Sequence, residues 1–127
     1  MAGTSDYLEA AVLDAALRNT SYTSPATVYV ALYNADPTDA DSATEITGNG
    51  YVRQSCAFSR TAGVASNTSA VEFPTATGSW GTVTHVGVRD AASAGNLLYH
   101  AALTSSKAIT TGDIFRIPAG DLTVTMT

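Results

Sequence analysis

The amino-acid sequence predicts a mainly β fold, an antiparallel β-sandwich or jelly-roll-like domain with one short N-terminal α-helix. Three observations carry that reading. From Ala26 onward apolar and polar residues alternate with period two, with β-branched and aromatic types favoured, as half-buried strands require. Clusters of turn-forming residues divide this region at short intervals. Helical periodicity with capping residues occurs once, before residue 20. A chain of 127 residues can bury a core without a metal or disulfides, and no linker or repeat divides it, so one domain spanning residues 1–127 is expected.

The helix comes first. Asp6-Tyr7-Leu8-Glu9 has capping-box spacing, with the Asp6 carboxylate placed to accept a free backbone N–H and Glu9 to reach back. An Ala-rich run follows, giving a helix from about Asp6 to Arg18, with Asp14 one turn before Arg18 and Asn19 suited to a left-handed C-terminal position. Leu8, Val12 and Ala15 form an apolar stripe beside Leu13 and Leu17. So short a helix is marginal in water, and its stripe must meet a sheet face or a neighbouring subunit.

Seven strands are predicted: Thr27–Tyr33, Tyr51–Phe58, Ala70–Phe73, Thr82–Arg89, Leu97–Leu103, Asp113–Ile117 and Leu122–Met126. Turn residues lie between them, among them Gly48-Asn49-Gly50, Thr77-Gly78-Ser79, Ala94-Gly95-Asn96 and Thr111-Gly112-Asp113. Alternation assigns Val28, Val30, Leu32, Val86, Val88, Leu122, Val124 and Met126 to the core, and it puts Tyr29 and Tyr33 on the solvent-facing register of the first strand. The stretch from Asn34 to Asn49, with Asp36, Asp39, Asp41 and Glu45, reads as an exposed loop or arm.

Composition narrows the function. Hydrophobic residues make up 45% of the chain and charged residues only 13%, about half the usual share, so the surface suits packing against neighbouring subunits. The net charge of −5 and six scattered Lys and Arg residues provide no basic stripe for nucleic acid. The first residues lack a basic n-region and carry Asp6, Glu9 and Asp14 in the apolar stretch, so neither a signal peptide nor a membrane span is expected. The sequons at Asn19 and Asn67 read as chance matches in a Thr/Ser-rich chain.

No catalytic residue, cofactor site or metal site is expected. The acidic stretch Asp36–Glu45 offers carboxylates for calcium but lacks EF-hand spacing and its turn glycine. His85 and His100 fall in strands that can be neighbours, and no partner set completes them. Cys56 lies within a strand pattern where a small thiol packs well. Glu45, Glu72, Asp90 and Asp113 are conceivable as a carbohydrate-cleaving pair, but a sugar-binding cleft wants aromatic platforms and the chain has a single tryptophan, Trp80. Trp80, Tyr29 and Tyr33 are read instead as core or interface anchors. Together with Tyr7, Leu8, Val12, Leu13 and Leu17 of the helix they make up the candidate interface set. The chain is therefore expected to act by fitting against other proteins.

Several segments also look familiar as a set: Ser5-Asp6-Tyr7-Leu8-Glu9, Thr23 to Tyr33 leading to Ala35-Asp36-Pro37-Thr38, Gly50-Tyr51-Val52-Arg53-Gln54, Trp80 to Gly87, and Gly95-Asn96-Leu97-Leu98-Tyr99. Over nearly the whole chain they resemble a family of short virion structural proteins from tailed bacteriophages, usually labelled phage tail fibre protein. The resemblance implies a virion component made in the host cytoplasm. Two placements follow from it. A fibre subunit would normally bring a long shaft or attachment domain, for which this length leaves no room. In scale the chain is similar to a capsid cement or decoration protein, a small β-rich and commonly trimeric unit seated over joints of the major capsid protein. The cement placement is favoured on that ground, with a tail fibre or tail-associated subunit for host attachment as the alternative. Either way the expected partners are other virion subunits and further copies of the chain, gripped through the N-terminal helix or its adjoining segment.

Overall fold

The computed structural model describes residues 3–125. It contains one helix, α1 (Asp6–Leu17), and ten strands: β1 (Gly3–Thr4), β2 (Val28–Tyr33), β3 (Gln54–Cys56), β4 (Phe58–Thr61), β5 (Val64–Asn67), β6 (Val71–Glu72), β7 (Gly81–Arg89), β8 (Leu97–Ile109), β9 (Arg116–Ile117) and β10 (Thr123–Thr125). Every strand pairing is antiparallel. The largest sheet has the order β1-β8-β7-β2-β3, and it is faced by a three-stranded sheet, β10-β5-β4, and by the pair β6-β9. The mainly β sandwich with a short leading helix is the architecture that the sequence predicts.

The register of β2 against β7 explains the core. Val30 stands opposite Val88 and Leu32 opposite Val86, so these four share one face, with Val28 beside them. Val30, Leu32, Val86 and Val88 are buried there against Val71, Phe73, Phe115, Ile117 and Leu122 of the facing layer. Val124 is also buried, whereas Met126 and the end of the predicted Leu122–Met126 strand lie outside the described residues. Aromatic rings close one end. Phe73 meets Phe115 edge-on at 5.8 Å between centroids and stacks on Tyr51 at 5.9 Å, and Trp80 stands edge-on to Tyr51 at 5.4 Å. The indole N–H of Trp80 donates to the Asn49 carbonyl at 2.9 Å, which satisfies its one polar group inside the core.

All seven predicted strands overlap observed ones, and the differences have local causes. The predicted Tyr51–Phe58 strand is broken at Ala57 into β3 and the start of β4, so the chain changes sheets there. The β4–β5 hairpin went unpredicted because its turn is Ala62-Gly63, with Ala62 at φ 51°, a left-handed conformation that Asn, Asp or Gly normally supplies. Strand β8 runs on to Ile109 past the expected end at Leu103. Four of its residues, Leu103–Ser106, stand against the single Thr84 of β7, a bulge that lengthens the strand and hides its alternation.

The helix starts from Ser5, not from an Asp6 cap. The Ser5 hydroxyl accepts the Leu8 N–H at 3.2 Å and donates to the Leu97 carbonyl, so one buried side chain both caps α1 and ties it to β8. Asp6 then falls in the first turn with Glu9, where negative charge complements the helix dipole. At the other end the Thr20 N–H returns to the Asp14 carbonyl at 3.1 Å around Asn19 at φ 53°, the left-handed residue that the sequence marked.

Asn67 joins the smaller sheet to the segment before β10. Its amide donates to the Ser69 and Pro118 carbonyls at 2.9 and 3.0 Å, and its oxygen accepts the Leu122 N–H at 3.0 Å. The residue is buried, so Asn67→Ala strands one backbone donor away from water. A loss of about 2 kcal/mol in unfolding free energy is expected, measured by urea denaturation. An unchanged midpoint would show that the amide is dispensable.

Candidate interaction surface

The eight residues of the candidate interface set divide into two groups. On α1 the side chains of Tyr7, Val12, Leu13 and Leu17 are 42%, 37%, 56% and 76% exposed, and of the apolar stripe only Leu8 is buried. The helix is therefore held at its first turn and presents the rest of its apolar residues outward. Leu8, Tyr33 and Trp80, by contrast, belong to the interior, and Tyr29 is half-buried. For Trp80 the core reading of the sequence holds and the interface reading does not.

Tyr33 corrects the sequence reading most sharply. Its register does put it on the face of the large sheet turned away from the sandwich core, with Ala31, Gly87 and Arg89. That face is not left to solvent: Tyr33 is 0% exposed. A Cβ on Gly87 would lie 2.8 Å from the Tyr33 ring and 2.7 Å from Leu97, so the glycine is what lets both side chains lie flat across β7. The segment after β2, expected as an open acidic arm, folds back over them.

Each acidic residue of that segment has a protein partner. Asp41 receives both terminal nitrogens of Arg89 at 2.9 Å, and Arg89 also donates to the Tyr33 hydroxyl at 2.9 Å and the Gly95 carbonyl at 3.0 Å. Glu45 receives Arg53 through two bonds of 2.8 and 2.7 Å and the Tyr51 hydroxyl as well. Arg53 reaches on to the Ala91 and Ala94 carbonyls at 2.8 and 2.9 Å. Asp39 bonds the His100 ring at 2.7 Å, and Asp36 accepts the Thr38 N–H at 2.9 Å. The two arginines thus lace the 34–46 segment to the β7–β8 turn. The Asp39 carbonyl accepts the Asp6 N–H at 2.8 Å, so the same segment braces the start of α1.

These contacts leave the other chemistry-bearing residues in separate structural roles. Glu72 lies 3.8 Å from Arg116, Asp90 accepts the Asn96 backbone and side chain in the β7–β8 turn, and Asp113 accepts Thr110. His85 bonds Thr84 and sits diagonally from His100 across β7 and β8, each ring with its own partner. Burial pushes the Cys56 thiol pKa up, away from the reactive thiolate. Among the described residues the acidic grouping tight enough for a cation is Asp6, Glu9 and Asp39, all exposed, and not the Asp36–Glu45 set considered from the sequence.

An open groove of about 720 Å³ lies at one end of the sandwich, between the two layers. Val28, Val88 and Tyr99 of the large sheet form one wall and Phe58, Ala65 and Val124 of the smaller sheet the other. Arg60 is the one charged residue in its lining, and no carboxylate enters it. Nothing in the sequence pattern marked this groove, because its lining comes from seven strands of two sheets.

The geometry thus comprises a buried network, an outward-facing helix and an open apolar groove. The family model described as Podophage GP4 fiber I protein gp80 matches residues 3–125. The chain belongs to that family. As a member of this phage fibre family it is a structural component of the virion, which agrees with the resemblance seen in its sequence motifs. No curated protein matches the chain.

Two predictions test the network in this fibre-family chain. Arg89→Met leaves Tyr33 and Asp41 without their donor, and since Asp41 is a third exposed and can rehydrate, a loss of about 3 kcal/mol is expected on urea denaturation. A loss below about 1 kcal/mol would show that the guanidinium is not a structural centre. The second concerns alkaline pH. Burial, then the hydrogen bond to Glu45, pushes the Tyr51 hydroxyl well above its ordinary 10.0, and burial also raises Tyr33 against the opposing pull of Arg89. The folded state thus holds protons that the unfolded chain releases, so this stability is complete below about pH 10 and lost as pH rises above it. Melting temperature should fall from about pH 10 upward, less steeply in Tyr51→Phe. Equal slopes for the two proteins would remove Tyr51 from the explanation.

Proposed function

We propose that this chain is a non-enzymatic subunit of a phage fibre or its tail attachment, working through docking against other virion subunits and further copies of itself. The observation that carries the reading is the state of α1. Its first turn is fixed by Ser5, Leu8 and the Asp39 carbonyl, while Val12, Leu13 and Leu17 face outward from a helix too short to be stable unaided. A rigidly mounted apolar helix face is what a partner subunit covers. Full burial of each leucine contributes about 2 kcal/mol, and the contribution multiplies over copies in a particle.

The family assignment favours the fibre over the capsid cement placement that chain length suggested, and the trimer remains the preferred oligomer within either. An enzymatic reading finds little support. Its candidate acids are engaged in turns and ion pairs, and the apolar groove is lined by none of them. Gold-labelled antibody against the purified chain, imaged on intact particles, is expected to decorate the tail region. Label spread over the capsid surface would overturn the fibre reading and restore the cement one.

A further inference from the structure

The open groove and the exposed helix face are two unfilled apolar features among the described residues, and they carry opposite charge. The groove is concave and carries a single cation: Arg60, whose guanidinium donates to the Ala62 carbonyl and has no carboxylate partner among the described residues. The helix is convex. Its exposed Leu13 and Leu17, one turn apart, are flanked by the carboxylates of Asp6, Glu9 and Asp14, against the single cation Arg18. No residue of α1 lines the groove of its own chain. A chain of net charge −5 has a general repulsion between copies to overcome, and pairing its acidic helix with the one charge in the groove's lining turns that repulsion to attraction at the contact.

We infer that α1 of one copy seats Leu13 and Leu17 in the groove of the next, with Arg60 facing the acidic side of the helix. The occupant of the groove is a second copy of this chain. The contact joins different patches on the two copies, so it is heterologous, and repeating it closes a ring when the rotation permits, the trimer being one such ring. Filling the gap between the layers also completes the core at the open end of the sandwich, where Val88 and Val124 otherwise border solvent-accessible space.

The inference rests on the subunit reading above, but its test uses the isolated chain and is independent of where the particle carries it. Leu17→Glu and Arg60→Glu both alter exposed side chains, and circular dichroism checks that each variant keeps the fold. By light scattering after gel filtration, the unaltered chain is expected to be oligomeric and each variant to run at the single-chain mass. A mixture of the two variants is expected to form one-to-one dimers, because the Arg60→Glu chain keeps an intact helix and the Leu17→Glu chain an intact groove. A monomeric unaltered chain overturns the inference, whatever else the groove then binds. So does an oligomer that survives both substitutions, or a mixture that stays monomeric.

Discussion

Arg89 holds three stretches of chain to one point on the outer face of the large sheet. Its terminal nitrogens reach Tyr33 at the end of β2, Asp41 in the segment that follows, and the Gly95 carbonyl in the β7–β8 turn. Its Nε has no partner among the described residues, so the site carries some uncompensated desolvation. Burial works to lower the guanidinium pKa, and the hydrogen bonds it donates to Asp41 and Tyr33 more than reverse it, so the group stays charged. A bidentate carboxylate is the strong partner that makes such burial sustainable. This contact ties the middle of the 34–46 segment across the outer face of the large sheet, where Tyr33 is buried.

The rest of the surface follows from that closure. Arg53 repeats the arrangement with Glu45 and the Ala91 and Ala94 carbonyls, so two cations pin the same segment to the same turn. The pinned segment then offers the Asp39 carbonyl to the first turn of α1, while Ser5 ties that turn to β8. Four acidic residues that looked like a solvated arm are thereby converted into the mount of a helix. Four of the chain's seventeen charged residues, Arg53, Glu45, Arg89 and Asp41, are used inside the molecule in this way. What remains outside is mostly Thr, Ser and Ala, with an apolar helix face.

The strands that were legible in the sequence are those whose burial is one-sided. In β2 and β7 the core valines alternate cleanly, and the central pairs Val30 with Val88 and Leu32 with Val86 fall where alternation puts them. Legibility failed where a different rule took over. Alternation assigned Tyr33 to the outside correctly as a matter of register, yet exposure depends on what covers a face, and the covering segment lies outside the strand. The hairpin turn at Ala62-Gly63 has a residue type that rarely takes positive φ, and the bulge at Leu103–Ser106 disrupts the period that would have revealed the end of β8. The helix cap was displaced by one residue because Ser5 and Asp6 are both good caps, and only the contact with the Leu97 carbonyl selects between them.

By itself the sequence determined the class of the fold, the leading helix, the alternating core positions and the kinship with phage fibre proteins, all properties written in local periodicity or in motifs read along the chain. Tertiary structure alone decided which candidate contact residues are free. Leu8, Tyr33 and Trp80 went inside while Tyr7, Val12, Leu13 and Leu17 stayed out, and the groove arose from strands far apart in the chain. The reason is physical: periodicity reports which residues share a face, but whether a face meets solvent depends on long-range pairings such as Arg89 with Asp41, and no local pattern encodes those.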